Sequence, residues 1–178
     1  MNKDIKIIDN FLSKTEFADL KNNMLGNRFP WFYNPSVVGL KDENPDNFQF
    51  VHNAYYLDKP NSDFYQKCLE PLFIKKLRDL KLGALIRIKA NLTVKTGKVI
   101  EVLPYHCDFG DGDPESPFHK SLTAIYYVNT NNGYTKFEDG TKIESVENRF
   151  VIFPTFLKHT SATTSDQKTR VVIVFNYF

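Results

Sequence analysis

Leu85-Ile86-Arg87-Ile88-Lys89-Ala90-Asn91-Leu92-Thr93-Val94 is the stretch that decides the fold. Apolar and polar residues alternate through it. That is the period of two a strand requires, because successive side chains leave a strand on opposite faces. Downstream the pattern continues in short pieces. Residues 99–106, 122–128, 149–153 and 170–178 read as further strands. Phe137-Glu138-Asp139-Gly140-Thr141-Lys142-Ile143 reads as a tight hairpin, since Asp-Gly suits the two positive φ values of a type I′ turn. Residues 108–117 form a Gly/Asp/Pro loop. Many short strands joined by turns point to a sandwich or jelly roll rather than an α/β fold.

Upstream the period changes. Ser13-Lys14-Thr15-Glu16 reads as a capping box that opens a helix over 14–25. Leu12 staples onto Phe17, and Phe17, Leu20, Met24 and Leu25 share a helical face that Gly26 ends. Ile5-Lys6-Ile7-Ile8 is a short strand candidate. Residues 29–60 hold Trp31, Phe32, Tyr33 and four prolines, so a loop with one or two short strands is expected. A second helical region covers 62–80, with Pro71 marking a kink or a new helix start. The chain therefore reads as one domain, 1–178, with a helical N-terminal flank over 1–82 and a strand-rich core over 83–178.

Composition narrows the class. Hydrophobic residues are 42% and charged residues 25% of 178, which fits a globular chain. Lys plus Arg is 23 against 21 for Asp plus Glu, a net charge of +2 with no basic stripe, so nucleic acid is not an expected partner. No apolar run reaches membrane-spanning length and no leader pattern opens the chain, so a soluble, cytoplasmic protein is expected. Two cysteines, Cys68 and Cys107, make neither a disulfide framework nor a zinc ribbon and read as free thiols. Oligomeric state is left open.

The chemistry-bearing residues are few. Of four histidines, His106 begins an H-x-D with Cys107 and Asp108. On a strand His106 and Asp108 share a face, so an imidazole and a carboxylate can reach one metal, while Cys107 turns away toward the core. With four His and 13 Asp in the chain, chance supplies roughly 0.3 such pairs, so the motif alone decides nothing. His159 after Phe150-Val151-Ile152-Phe153-Pro154, and Arg170 at the head of an apolar strand, add what is missing. Two His and a carboxylate can form the facial triad of a non-haem Fe(II) oxygenase, and a guanidinium fork can hold the far carboxylate of a 2-oxo acid. His119 could flank this site, and His52, among Asn53, Tyr55 and Tyr56, reads as structural. Asp108, Asp111 and Asp113 lack EF-hand spacing. Trp31, Phe32 and Tyr33 read as packing, with a lid as the alternative.

The ordered set H-x-D, distant His, then Arg resembles the Fe(II)/2-oxoglutarate dioxygenases, and most of all their prolyl-4-hydroxylase-like branch with its small phage and bacterial members. Thr123-Ala124-Ile125-Tyr126-Tyr127-Val128-Asn129 is similar to the T-x-I-Y-Y-x-N strand of that branch. Gly133-Tyr134-Thr135-Lys136-Phe137 is similar to a Gly-Gly segment of that branch that ends in Phe, with Tyr134 in place of the second Gly. Asn148-Arg149-Phe150-Val151-Ile152-Phe153 is similar to the N-R-x-x-x-F run before the second His. The likeness spans about residues 85–178.

The resemblance implies a mainly β fold with flanking helices around a double-stranded β-helix, a jelly-roll type. It implies Fe(II) on His106, Asp108 and His159, and 2-oxoglutarate as cosubstrate, anchored by Arg170 with the Tyr127 hydroxyl. Thr123, Asn91 and Thr93 are the further cosubstrate contacts it implies, Thr93 standing where a tyrosine is common. The implied reaction consumes O2 and 2-oxoglutarate, hydroxylates a peptidyl (prolyl-type) or small amino-acid substrate, and releases succinate and CO2, with ascorbate as a stimulant. The competing reading is a non-enzymatic jelly-roll module that uses a divalent ion to hold a ligand; it predicts no succinate. A structural jelly roll predicts no metal.

Overall fold

The computed structural model describes residues 4–36, 48–80, 82–102 and 104–178. Part of the irregular 29–60 stretch, 37–47, lies outside the described residues. Eleven strands and a helical layer make up the described chain: β1 (Lys6–Ile8), α1 (Lys14–Leu25), β2 (Phe32–Asn34), β3 (Gln49–Tyr56), β4 (Lys59–Pro60), a π-helical stretch (Tyr65–Ile74) that runs into α2 (Lys75–Asp79), then β5 (Leu85–Val94), β6 (Leu122–Tyr127), β7 (Tyr134–Phe137), β8 (Lys142–Glu144), β9 (Arg149–Pro154), β10 (His159–Ser161) and β11 (Thr169–Tyr177).

The strands form two sheets. The larger runs β1-β9-β6-β11-β5-β3-β2, with β4 paired to β3, and the smaller runs β10-β7-β8. All named strand pairs are antiparallel. This is the mainly β, jelly-roll architecture expected. At the centre β11 pairs with β5 from Thr169↔Val94 to Tyr177↔Leu85 and with β6 on its other side. Strand alternation then sorts the cores. Val171, Ile173, Phe175 and Tyr177 face the helical layer, where Leu20, Met24, Leu69, Phe73 and Leu77 are buried with them. Val172 and Val174 face the smaller sheet, in a second core with Tyr127, Phe137, Ile143 and Phe153. The chain front supplies more of the larger sheet than a helical flank implies, through β1 to β4.

Local features follow the sequence with physically clear exceptions. The capping box is present: Glu16 N–H donates to Ser13 Oγ, and Ser13 N–H donates to Glu16 Oε2 at 2.8 Å. Gly26 ends α1 in an extended conformation, φ −74°, rather than a left-handed cap. Leu25 is exposed, so the buried face is Leu20 and Met24 with Phe17 at its margin. Pro71 sits inside the π-helical stretch, neither starting a helix nor ending one. A proline cannot donate to the carbonyl four residues back and its ring clashes with it, and the wider i→i−5 winding relieves that clash.

Two β expectations are corrected. The described residues of 99–106 do not form a strand: among them only Glu101 and His106 make isolated bridges, to Ala162 and His159. Pro104 lacks the N–H a continuous ladder needs. The Asp139-Gly140 turn is not type I′, because only Gly140 (φ 88°) is left-handed among the turn residues. Gly140 N–H donates to Phe137 O and Phe137 N–H to Thr141 O, a three-residue loop in which glycine alone takes the positive φ.

Candidate metal centre and its cavity

Two backbone hydrogen bonds build the centre. His106 N–H donates to His159 O and His159 N–H to His106 O, both at 3.0 Å. A directly opposed antiparallel pair puts both side chains on one face, and the two imidazole rings lie 4.9 Å apart between centroids. Asp108, two residues on, joins them. The ligand atoms of His106, Asp108 and His159 all lie within 4.8 Å of one another, the one such group of three or more metal-binding side chains among the described residues. Two nitrogens and a carboxylate oxygen are the donor set of the 2-His-1-carboxylate arrangement.

The surrounding groups orient these donors. His159 Nδ1 lies 3.1 Å from Leu157 O, and since a carbonyl only accepts, Nδ1 carries the proton and Nε2 is left as the ligand nitrogen. Asp108 Oδ1 accepts from Arg87 Nη2 at 2.9 Å. Its Oδ2 accepts from Asn176 Nδ2 at 3.0 Å and from Thr123 Oγ1 at 3.2 Å. Burial opposes ionisation of Asp108, but the Arg87 guanidinium, helped by His159, Asn176 and His106, outweighs it and holds the carboxyl well below the usual range. Burial and the neighbouring His159 push the His106 pKa down to about 4, against the pull of Asp108. The centre therefore presents a neutral His106 imidazole and an ionised Asp108 carboxylate at neutral pH, the forms a metal requires.

A cavity of about 170 Å³ runs from this centre over the inner faces of β5 and β11, with Thr135, His159 and Ser161 of the smaller sheet also lining it. Cross-strand register sets its wall in steps: Arg87 opposite Asn176, Lys89 opposite Val174, Asn91 opposite Val172, Thr93 opposite Arg170. Arg170 is buried at 3% exposure at the end remote from Arg87. Its Nε donates to Ser145 Oγ at 2.9 Å and its Nη2 to Thr135 Oγ1 at 3.2 Å. Burial pulls the guanidinium pKa below its ordinary value, with Tyr127 opposing. Gly133 makes room for this side chain, since a Cβ there would stand 2.7 Å from Arg170 Cδ.

Each sequence-predicted residue can now be placed. His106, Asp108 and His159 converge. Arg170, Asn91 and Thr93 line the cavity, and Asn91 Oδ1 and Thr93 Oγ1 are buried with no hydrogen-bond partner. Tyr127 is fully buried beneath Arg170, whose Cζ lies 5.6 Å from its ring centroid, and the Tyr127 hydroxyl donates to Thr135 Oγ1 at 2.8 Å. Thr123 sits at Asp108, remote from the Arg170 end of the cavity. Cys107 is half-buried on the Phe156 carbonyl, at 3.2 Å, and is not part of either core. His119 stacks on Phe156 outside the donor group. His52 is structural: Nδ1 bonds Pro30 O at 2.9 Å and Nε2 bonds Ser62 Oγ at 2.7 Å.

Sequence reasoning missed Arg87, Lys89, Thr135 and Asn176. Parity along Leu85–Val94 was the available signal, because it puts Arg87, Lys89, Asn91 and Thr93 on one face. What it lacked was the knowledge that this face is the inner one.

No sequence family matches the chain, and no curated protein matches it. Its fold matches solved structures over almost its whole length. A viral collagen prolyl hydroxylase from Paramecium bursaria Chlorella virus-1, in a 2-oxoglutarate complex, shares 16% identity at a TM-score of 0.63, over 98% of this chain and 96% of that one. An oxidoreductase of the 2OG-Fe(II) oxygenase family from Burkholderia pseudomallei shares 12% at 0.69, over 99% and 85%. A prolyl hydroxylase from Trichoplax adhaerens, in complex with a peptide fragment of the hypoxia inducible factor oxygen degradation domain, shares 16% at 0.64, over 99% and 84%. The chain has the fold of the 2-oxoglutarate/Fe(II) oxygenases. Among the described residues no helix is long and apolar enough to cross a membrane.

Proposed function

We propose that this chain is an Fe(II)- and 2-oxoglutarate-dependent dioxygenase that hydroxylates a peptidyl, prolyl-type, or small amino-acid substrate. One observation carries the reading. A two-imidazole, one-carboxylate donor group and a buried, acid-free guanidinium stand at opposite ends of one cavity, with unpartnered Asn91 Oδ1 and Thr93 Oγ1 along its wall. Buried polar atoms left without partners mark where a polar ligand fits.

Iron, when bound there, would supply the activation of O2 and the oxidative decarboxylation of 2-oxoglutarate to succinate and CO2. The chain's own residues do the rest. His106, Asp108 and His159 would hold the metal through two imidazole nitrogens and one carboxylate oxygen. Arg170 binds the far carboxylate of 2-oxoglutarate, where a planar fork meets two oxygens. Thr135 Oγ1 already accepts from Tyr127 and from Arg170, so its own proton is free to donate into the cavity. Tyr127 thus acts on the cosubstrate through Thr135. Thr93 and Asn91 offer the remaining contacts along the cosubstrate chain. Thr123 and Asn176 fix the Asp108 carboxylate and act through it. Val172, Val174 and Ile125 keep the wall apolar between these groups and exclude water.

The test is an anaerobic titration of the wild-type protein with Fe(II), then 2-oxoglutarate, followed by visible charge-transfer absorption and calorimetry. Saturable 2-oxoglutarate binding that requires Fe(II), and that His159→Ala and Asp108→Ala lose while remaining folded, supports the reading. Binding of 2-oxoglutarate without metal, or none with it, refutes it.

A further inference from the structure

The cavity wall carries three cations, Arg87, Lys89 and Arg170, against one carboxylate, Asp108. Their partners differ. Arg87 is matched by Asp108 at 2.9 Å. Arg170, on the reading above, is matched by the far carboxylate of 2-oxoglutarate. Lys89 makes no hydrogen bond or ion pair with any described residue. It is half-buried on the inner face of β5, opposite Asn53 on one side and Val174 on the other. It stands one side-chain step, about 7 Å, from Arg87 at the metal end, and two such steps from the Thr93–Arg170 pair. A cosubstrate chain anchored at Arg170 runs past Asn91 toward the donor group, and Lys89 lies on the metal side of it.

We infer that Lys89 is the substrate-recognition residue of this site, and that the substrate carries a carboxylate which the Lys89 ammonium meets beside the metal. The inference rests on the proposed oxygenase function. Its logic is charge matching. A cation on a partly dry wall is costly unless paired, and every other charged side chain of the wall has a partner in the chain or in the cosubstrate. Burial and the adjacent Arg87 pull the Lys89 pKa down to about 8, against the more weakly opposing Asp108. The small volume sets the form of the ligand: about 170 Å³ shared with 2-oxoglutarate admits a short acidic group, not a bulky anion. A free acidic amino acid and an acidic side chain in a peptide present the same carboxylate, and the experiment separates them.

Protein loaded with Ni(II) and 2-oxoglutarate is titrated calorimetrically with L-aspartate, L-glutamate and N-acetylated, C-amidated dipeptides containing either residue, each against its carboxamide counterpart. Wild type is expected to prefer at least one carboxylate probe over its amide by about tenfold or more, roughly one decade per 1.4 kcal/mol. Lys89→Met should abolish that preference and Lys89→Arg should keep most of it. Preference for the free amino acids identifies a small-molecule substrate, and preference for the blocked dipeptides identifies a peptide. No carboxylate preference in wild type, or an equal preference in Lys89→Met, overturns the inference. So does a loss of 2-oxoglutarate affinity in Lys89→Met that matches the loss of probe preference, since Lys89 would then serve the cosubstrate. Failure of the oxygenase reading is seen earlier and separately, as absent metal-dependent 2-oxoglutarate binding in wild type, and it withdraws both.

Discussion

Arg170→Ala should separate cosubstrate binding from every other property of the site. The guanidinium is buried and donates to the neutral hydroxyls of Ser145 and Thr135, and no acid among the described residues pairs with its charge. A bound 2-oxoglutarate carboxylate would balance it. Removing one partner of a buried charge pair costs about 3–5 kcal/mol. Part of that loss falls on cosubstrate binding, and at about 1.4 kcal/mol per decade the KM and Kd for 2-oxoglutarate should rise on the order of 100-fold or more. Arg170→Lys should be intermediate, because the charge remains while the second hydrogen bond is lost. Fe(II) affinity measured without cosubstrate should barely move, since Arg170 is not a ligand. The assay is calorimetry with 2-oxoglutarate on metal-loaded protein, together with initial rates of succinate release. Wild-type affinity in Arg170→Ala, with loss instead in Lys168→Ala, would refute the anchor; Lys168 is exposed and serves as the control.

Further expectations concern the centre and its scaffold. Arg87→Met should make the metal-free protein acid-sensitive. A depressed Asp108 pKa contributes stability above the ordinary carboxylate value of 3.8 that is lost as pH falls toward the folded pKa, so removing the Arg87 cause should move the acid-unfolding midpoint to higher pH. An unchanged midpoint in circular dichroism would show that Arg87 does not hold Asp108 ionised. Asn148→Ala should cost about 2–4 kcal/mol in urea unfolding, since it removes three buried hydrogen bonds, to Leu12 N–H, Leu12 O and Tyr126 Oη, while leaving the left-handed φ of 60° to a residue that disfavours it. A loss below 1 kcal/mol would mean that water replaces the amide. Ser13→Ala should cost about 1 kcal/mol through the lost cap, and a measurement near zero would mean that the first turn of α1 frays in the native protein.

The strands of the back half were legible because alternation is a local property. Leu85–Val94 and Thr169–Tyr177 carry it plainly. The donor group was legible because H-x-D, His159 and Arg170 fall in an order that resembles a family, not because their spacing places them together. Their convergence depends on the His106↔His159 bridge, a contact that no local pattern records. The same limit hid Arg87 and Asn176: they are neighbours across the β5–β11 register, 89 positions apart, and both meet Asp108 only once the sheet has formed. The Tyr127 hydroxyl ends on Thr135, which the sequence reading gave no role. Turn type at Asp139-Gly140 and the π winding around Pro71 failed for a different reason. Loop length and helix pitch there are set by what packs on either side, so residue preference alone underdetermines them.

The most direct measurement of the central claim is the stoichiometry of 2-oxoglutarate conversion under air. Purified protein with Fe(II) should turn 2-oxoglutarate into succinate and CO2 in equal amounts, slowly without a primary substrate, and His106→Ala or Asp108→Ala should stop it. Succinate release that persists in both variants, or wild-type protein that binds Fe(II) and 2-oxoglutarate yet releases none, would contradict the account.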